Sequence, residues 1–256
     1  MTAAKIELTA VPGIPFVKRG DDLGRLITTA LAIAEIRPKP QDVLVVAQKI
    51  ISKAEGRSVA LDSVVPSDAA CEWAIRTGKD PRLVELILSE SKRIVRHRPN
   101  VMVVEHNLGF VMANAGIDQS NVGPAEHGEH ALLLPLDPDA SAARLRASLK
   151  DHLHIDLAVV ISDSFGRPFR SGTAGVAIGA AGLPALLDLR GNPDLFGREL
   201  AVSISAFADE IAAAASLVMG QGAEGLPVVL ISGLTWTAPP TNAAKIIRDP
   251  SEDLFR

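Results

Sequence analysis

The sequence predicts a protein of mixed α and β structure, without regular βαβ alternation. Three observations lead there. Short apolar runs rich in β-branched residues recur at 42–48 (DVLVVAQ), 157–161 (LAVVI) and 227–232 (PVVLIS), as strands buried on both faces require. Stretches at 21–34, 141–154 and 200–219 carry helical apolar spacing or high helix propensity. The segments between them are uneven in length and rich in turn formers.

Taken in order, residues 6–11 read as a strand, with Ile6, Leu8 and Ala10 alternating against Glu7 and Thr9. Val11, Pro12, Gly13, Ile14 and Pro15 follow as a turn-rich loop. Gly13 leaves its backbone open to a ligand, although on this stretch alone an ordinary strand-ending turn is the favoured reading. A helix is predicted over 21–34 from Leu23, Leu26, Ile27, Leu31 and Ile33, with Asp21 or Asp22 as its N-cap. The strand at 42–48 ends in Gln48 and runs into Lys49 and Lys53. Lysines just past a buried strand either meet phosphate as point charges or are simply solvated. Residues 67–90 read as helical with a new start near Pro81. Strands are predicted at 92–95 and 101–105 around the turn 96–100, and again at 110–112.

Residues 113–121, ANAGIDQSN, form a close-fitting polar loop. Asp118 is a candidate metal ligand there and Asn121 is suited to reading a polar edge; an Asx-turn is the plainer alternative. His127, Gly128, Glu129 and His130 invite a zinc reading. It is rejected, because two zinc-binding histidines on a helix stand four apart and these stand three apart beside Gly and Pro. They are read as surface loop residues. A turn at 135–140 precedes a helix over 141–154, with Leu145, Leu149 and Leu153 four apart.

The stretch 157–173, LAVVISDSFGRPFRSGT, holds the densest chemistry. Its apolar strand stops at Ser162, Asp163 and Ser164, a hard-oxygen cluster of the kind Mg²⁺ or Mn²⁺ prefers. Gly166 and Pro168 break regular structure. Arg167 and Arg170 offer guanidinium forks for phosphate or carboxylate. A capping aspartate and a solvated basic turn is the alternative. The Gly- and Ala-rich residues 174–186 suit closely packed strands or a tight backbone crossing, and 192–194 a turn. The helix over 200–219 is the strongest by propensity. It carries Asp209 and Glu210, expected on its wet face unless one points inward.

That helix runs into Met219, Gly220, Gln221, Gly222, Ala223, Glu224, Gly225 and Leu226. GxGxxG matches here letter for letter, yet a helix precedes it and a strand follows, the reverse of a Rossmann fingerprint. A glycine-rich loop still admits a nucleotide by backbone contact. A last short helix is expected within 241–247.

Composition narrows the function. The 256 residues are 47% hydrophobic, enough for a full core, and the net charge of −4 comes with no long basic run, so nothing asks for nucleic acid. Seven Phe, two Trp and no Tyr leave little for a base-stacking platform. Cys71 is the single cysteine, which excludes an intrachain disulfide and a cysteine-based zinc site; its apolar-rich segment marks it as a small core residue. No apolar run reaches membrane-spanning length and the N-terminus has no secretory h-region. A soluble, cytoplasmic protein is expected.

Five stretches in this order, VPGIP at 11–15, QKIISKAEG at 48–56, NAGIDQSN at 114–121, ISDSFGRPFRSGTAGVAIG at 161–179 and ADEIAAAASLVMGQGAEGLPVV at 208–229, resemble the coenzyme F420-0:γ-glutamyl ligase family, the CofE type. The resemblance covers nearly the whole chain. Ending at Arg256, the chain looks like the stand-alone form, a single catalytic domain over 1–256 without the nitroreductase-like flavin domain of some bacterial relatives. It implies an α+β fold, an intertwined homodimer, and no membrane or nucleic-acid partner.

The implied reaction phosphorylates the terminal carboxylate of the lactyl phosphodiester side chain of F420-0 with GTP. The amine of L-glutamate then attacks the acyl phosphate, giving an amide, GDP and phosphate. Two divalent ions, Mg²⁺ or Mn²⁺, are implied, with a monovalent cation such as K⁺ as an accessory. Carried over by position, Asp118 and Asp163 resemble one ion's ligands, with Ser164 near the second. Gln221 stands where archaeal relatives carry a Glu toward the second ion, and Glu224 is an alternative donor. The nucleotide would lie against Val11, Pro12, Gly13, Ile14, Gln48, Lys49, Lys53, Asn121 and the loop from Met219 to Leu226. Charge alone assigns Arg167 and Arg170 to the acyl phosphate or the incoming glutamate carboxylate. Two other readings stay open at this point: a metal-dependent phosphohydrolase or a ligase with another acceptor, and a non-enzymatic deazaflavin- or nucleotide-binding module.

Overall fold

A computed structural model describes residues 4–122 and 128–254. Its centre is a five-stranded sheet built from β1 (Glu7–Ala10), β2 (Val43–Ala47), β8 (Ala158–Arg167), β9 (Arg170–Ala181) and β12 (Val228–Ser232), in the order β1-β12-β2-β8-β9. Only β2 and β8 run parallel; the other three pairings are antiparallel. Val43, Leu44, Val45 and Val46 pair with Ala158, Val159, Val160 and Ile161 in register. All eight are buried, because both faces of the sheet are covered. On one face lie α1 (Leu23–Ile33) and α5 (Pro138–Leu153), and on the other α6 (Phe207–Met219).

The helices start where side chains can cap them. Asp22 accepts from Arg25 N–H at 3.1 Å on α1, and Asp137 accepts from Ala140 N–H at 2.9 Å on α5 with Pro138 in the first turn. The latter puts the start of α5 three residues before the expected one. Ser67 caps α3 (Asp68–Thr77), and Asp80 with Pro81 opens α4 (Pro81–Ser89). The alanines of α6 let it approach closely: a Cβ on Gly175 of β9 would strike the Ala212 carbonyl, and one on Gly179 the Pro138 carbonyl. The tight crossing expected over 174–186 is therefore real.

A second region packs α3 and α4 on the antiparallel sheet β4 (Ser91–Arg98), β5 (Val101–His106) and β6 (Val111–Ala113). It joins the centre through β3 (Ser58–Ala60), which pairs with β7 (His130–Leu132), and through Arg57, whose guanidinium reaches Leu134 O at 2.8 Å and Glu90 at 2.9 Å. Short strands β10 (Leu187–Asp188) and β11 (Ile204–Ser205) brace an outlying arm. A 3₁₀ turn at Ala243–Ile246 answers to the expected last helix.

Several expectations change. β8 does not stop at Ser162 but runs through SDSFGR to Arg167, turning at Pro168 and Phe169 into β9. Its polar residues continue the ladder because β9 supplies partners, and bulges after Ile161 and Gly166 absorb the irregularity. The helix expected from 200 begins at Phe207, since Ile204 and Ser205 pair with β10 instead. Cys71 is exposed on α3 rather than in the core. His130 opens β7 instead of lying in a surface loop, and His127 falls outside the described residues. Among the described residues, no helix is long and apolar enough to cross a membrane.

β9 is an edge strand, and two carboxylates occupy its free amides. Asp209 of α6 accepts from Ala177 N–H at 2.8 Å. Asp139 of α5 accepts from Ala180 N–H, and also from Ala243 and Ala244 N–H, at 2.8 to 3.1 Å.

Candidate active site

Strand direction gathers the marked loops. β2 and β8 are parallel, so Gln48, where the chain leaves β2, and Asp163 on β8 lie at the same end, with Ala47 opposite Ser162. β12 is antiparallel to β2, so the glycine-rich loop before it lies there too, and Ala47 N–H donates to Pro227 O at 2.8 Å. β1 is antiparallel to β12 and ends at the same place, where Val11 N–H donates to Val228 O at 2.9 Å. Four segments from distant parts of the chain thus share one end of one sheet.

Lys49 and Lys53 do not lie on a loose strand exit. They are four apart on a short helix, α2 (Gln48–Ala54), and so point from one face. Asp118 is brought to them by a bridge to β7, with two hydrogen bonds to Leu132 of 2.8 and 3.0 Å. The turn before it holds Asn114, Ala115 and Gly116 at φ of 52°, 54° and 66°. Glycine suits position 116, whose backbone is left-handed and where a Cβ would come within 2.6 Å of Met112 Cε and 3.1 Å of Leu134 Cδ1, so that these side chains would have to shift.

The contacts join these parts. Lys49 Nζ is 2.6 Å from Asp118 Oδ2. Ser120 donates to Asp118 Oδ1 through its N–H at 2.7 Å and its Oγ at 2.8 Å. Lys53 Nζ donates to Asn121 O at 2.6 Å, and Asn121 Nδ2 to Gly222 O at 3.4 Å. Burial works to raise the Asp118 carboxyl, but Lys49 and Ser120 outweigh it and hold it below the ordinary value. Lys53 is lowered, first by desolvation and then by Lys49. Asp163 retains some solvent access while protein packs it on nearly every side, as on the floor of a pit. Burial pushes its carboxyl up to about 6, against Ser164 N–H and Lys49, with Asp118 adding to the rise.

Not every expected residue joins the group. Gln48 is buried, its Oε1 taken by Ser52 Oγ at 2.9 Å. Glu224 turns back on its own loop to accept from Gly222 N–H at 2.8 Å. Pro12, Gly13 and Gln221 are exposed, and Ile14 packs against the core. Arg167 and Arg170 face each other across the tip of the β8–β9 hairpin, and the charges acting on Asp163 are Lys49 and Asp118, not theirs. Ser120, by contrast, was not singled out in the sequence, although its spacing from Asp118 is that of an Asx-turn.

The donors suit a hard divalent ion. Among the described residues no three His, Cys, Asp or Glu side chains cluster as a closed metal cage. Mg²⁺ seldom uses one; it takes one or two carboxylates and completes its shell with water and substrate phosphates. A desolvated carboxylate at Asp163 beside Asp118 meets that description.

The relatives of the chain define its class. Proteins named coenzyme F420:L-glutamate ligase are 46% identical in Methanopyrus kandleri, over 98% of both chains. They are 48% identical in Methanothermobacter thermautotrophicus, over 98% of this chain and 99% of that one. In Halobacterium salinarum the figure is 42%, over 96% and 91%. At such identity over nearly full length, this chain is an enzyme, a ligase. A family model described as F420-0:Gamma-glutamyl ligase matches residues 13–233, and the chain belongs to that family.

Proposed function

We propose that the chain joins L-glutamate to F420-0 at the expense of GTP, with further glutamyl addition to the product. The observation that carries this is the chain of contacts from Asp118 through Lys49 and from Lys53 through Asn121 to the glycine-rich loop. It sets cations and backbone amides beside two carboxylates, as phosphoryl transfer requires.

Lys49 and Lys53 neutralise nucleotide phosphate charge from one helix face. The loop at 219–226 admits the nucleotide against backbone, and the residues Val11 to Ile14 close the other side. An acceptor carboxylate oxygen attacks the terminal phosphorus and GDP leaves. The glutamate nitrogen then attacks the acyl carbon, the C–O bond to phosphate breaks, and the nitrogen loses a proton as the amide forms. Asp118, Asp163 and Ser164, with Gln221 toward a second site, would hold divalent ions, which would supply further charge neutralisation for the phosphates. Arg167 and Arg170 pair at the hairpin tip and are not among the charges that shift Asp163, which leaves them the incoming glutamate or an acceptor phosphate.

A homodimer is part of the proposal. Phe169 at the hairpin tip is 93% exposed, and Leu195 and Phe196 on the outlying arm are 98% and 94% exposed. Apolar groups so displayed call for a covering surface.

The test is mass spectrometry of the purified protein with F420-0, L-glutamate, GTP and Mn²⁺. A glutamyl mass gain that needs GTP is expected. GDP and phosphate without mass gain would mean a hydrolase or another acceptor, and bound deazaflavin without turnover a binding module. Lys53→Ala should weaken nucleotide binding by about tenfold, the loss of one charged hydrogen bond, and leave acceptor binding alone; equal losses by calorimetry would remove Lys53 from the phosphates.

A further inference from the structure

In the strand order β1-β12-β2-β8-β9, Asp163 on β8 divides the sheet end in two. The loops of β1, β12 and β2 fill one side. On the other lies β9, where Val176 pairs directly with Asp163. Beyond Val176 opens a cavity of about 240 Å³. Phe165, two residues past Asp163 on β8, lines it together with Phe110, the rings meeting edge to face with centroids 5.7 Å apart. Val111, Val176 and Ile247 extend the apolar wall.

Three charged side chains line it as well: Asp209, and Arg248 with Asp253, whose Nη1 and Oδ1 are 3.9 Å apart. Asp209 lines the cavity half-buried, with Oδ1 on Ala177 N–H; among the described residues Oδ2 accepts no hydrogen bond. Burial raises its carboxyl above the ordinary value, and Oδ2 is left to accept from a ligand N–H. Aromatic and aliphatic walls with a few placed polar groups suit a flat heterocycle with an amide-like edge.

We propose that this cavity receives the deazaflavin ring of the acceptor, with Asp209 on its polar edge. The inference rests on the ligase reading above. It places the acceptor across β9 and the nucleotide across β2 and β12, so that their reacting ends converge on Asp163 from opposite sides. In-line transfer needs that disposition of attacking and leaving oxygens.

Two variants test it. Val111→Trp fills the cavity from a partly exposed strand position, and Asp209→Asn keeps an acceptor for Ala177 N–H. Each is assayed for ligation, for GTP affinity, and for calorimetric binding of the ring-and-ribityl fragment of the acceptor without its phosphate. Expected are a rise in acceptor KM of about tenfold or more for Val111→Trp and of several-fold for Asp209→Asn, with matching losses of fragment affinity and unchanged GTP affinity. If Val111→Trp also loses GTP affinity, its fold is damaged and Asp209→Asn decides alone. Unchanged acceptor KM and fragment affinity in a wild-type background that ligates would overturn the cavity assignment and leave the ligase standing. Absence of ligation by the wild type would remove both.

Discussion

Asp118 and Asp163 stand at the same end of the molecule and are held in opposite ways. Asp118 sits in a loop and is saturated, with Lys49 on one oxygen and two donors from Ser120 on the other. Asp163 sits in a strand and, among the described residues, receives one hydrogen bond, from Ser164 N–H at 2.8 Å. Its carboxyl is pushed up to about 6 while that of Asp118 is held down. A loop bends its own backbone around a carboxylate, whereas strand amides are committed to the ladder. The protein therefore neutralises one aspartate with its own side chains and leaves the other sparsely bonded and desolvated.

The largest break in this pairing is Asp163→Ala. It should lower ligation by about 10²–10³-fold or more, the scale of losing a principal electrostatic group, with an unchanged circular dichroism spectrum. A folded variant of normal activity would end the assignment of Asp163 to the chemistry.

Lys49→Met should come next. It strips Asp118 of its cation and should reduce GTP affinity by about tenfold, while Mn²⁺ binding measured without nucleotide becomes tighter because a repelling charge is gone. Weaker Mn²⁺ binding would show that Lys49 positions the aspartates rather than competing for them.

Asp163→Asn sharpens the contrast through stability. The folded acid keeps its proton up to about pH 6 and the unfolded one only to about 3.8, so stability falls as pH rises through that window. Metal-free Asp163→Asn should thus melt higher than the parent near neutrality, and the gain should vanish below about pH 4, where both states are protonated. Equal melting at every pH would show that the carboxylate is not desolvated. The smallest effect belongs to Ser120→Ala, which removes one of two donors on Asp118 Oδ1. A loss of about 1 kcal/mol at that bond should appear as a few-fold fall in activity, readable against GTP concentration.

Much of this was legible in the chain. Buried strands announced themselves as apolar runs, since both faces of the sheet are covered. The reversed glycine-rich loop was readable from its flanks, with α6 before and β12 after. The loops that would share a site were nameable because their residue types are uncommon together. Other features depend on partners distant in sequence. SDSFGR looks like a loop until β9 is known to lie beside it. Lys49 and Ser120 are 71 positions apart, and no local pattern joins them. Gln48 reads as a polar strand end, yet Ser52 one helical turn on draws it inward. Residues 200–206 have helical composition, but pairing with β10 overrides propensity. Cys71 turns outward because Ala70 and Ala74 take the buried face of α3.

The aspartates on the rim of β9 have a consequence for how copies of this chain meet. A twelve-residue edge strand in a sequence so apolar is a template on which another chain can add a strand. Asp139 and Asp209 occupy amides that an incoming strand would need, and Asp139 also fastens the segment at 243–244 alongside. Crowded together, these molecules are denied that route to fibrous growth.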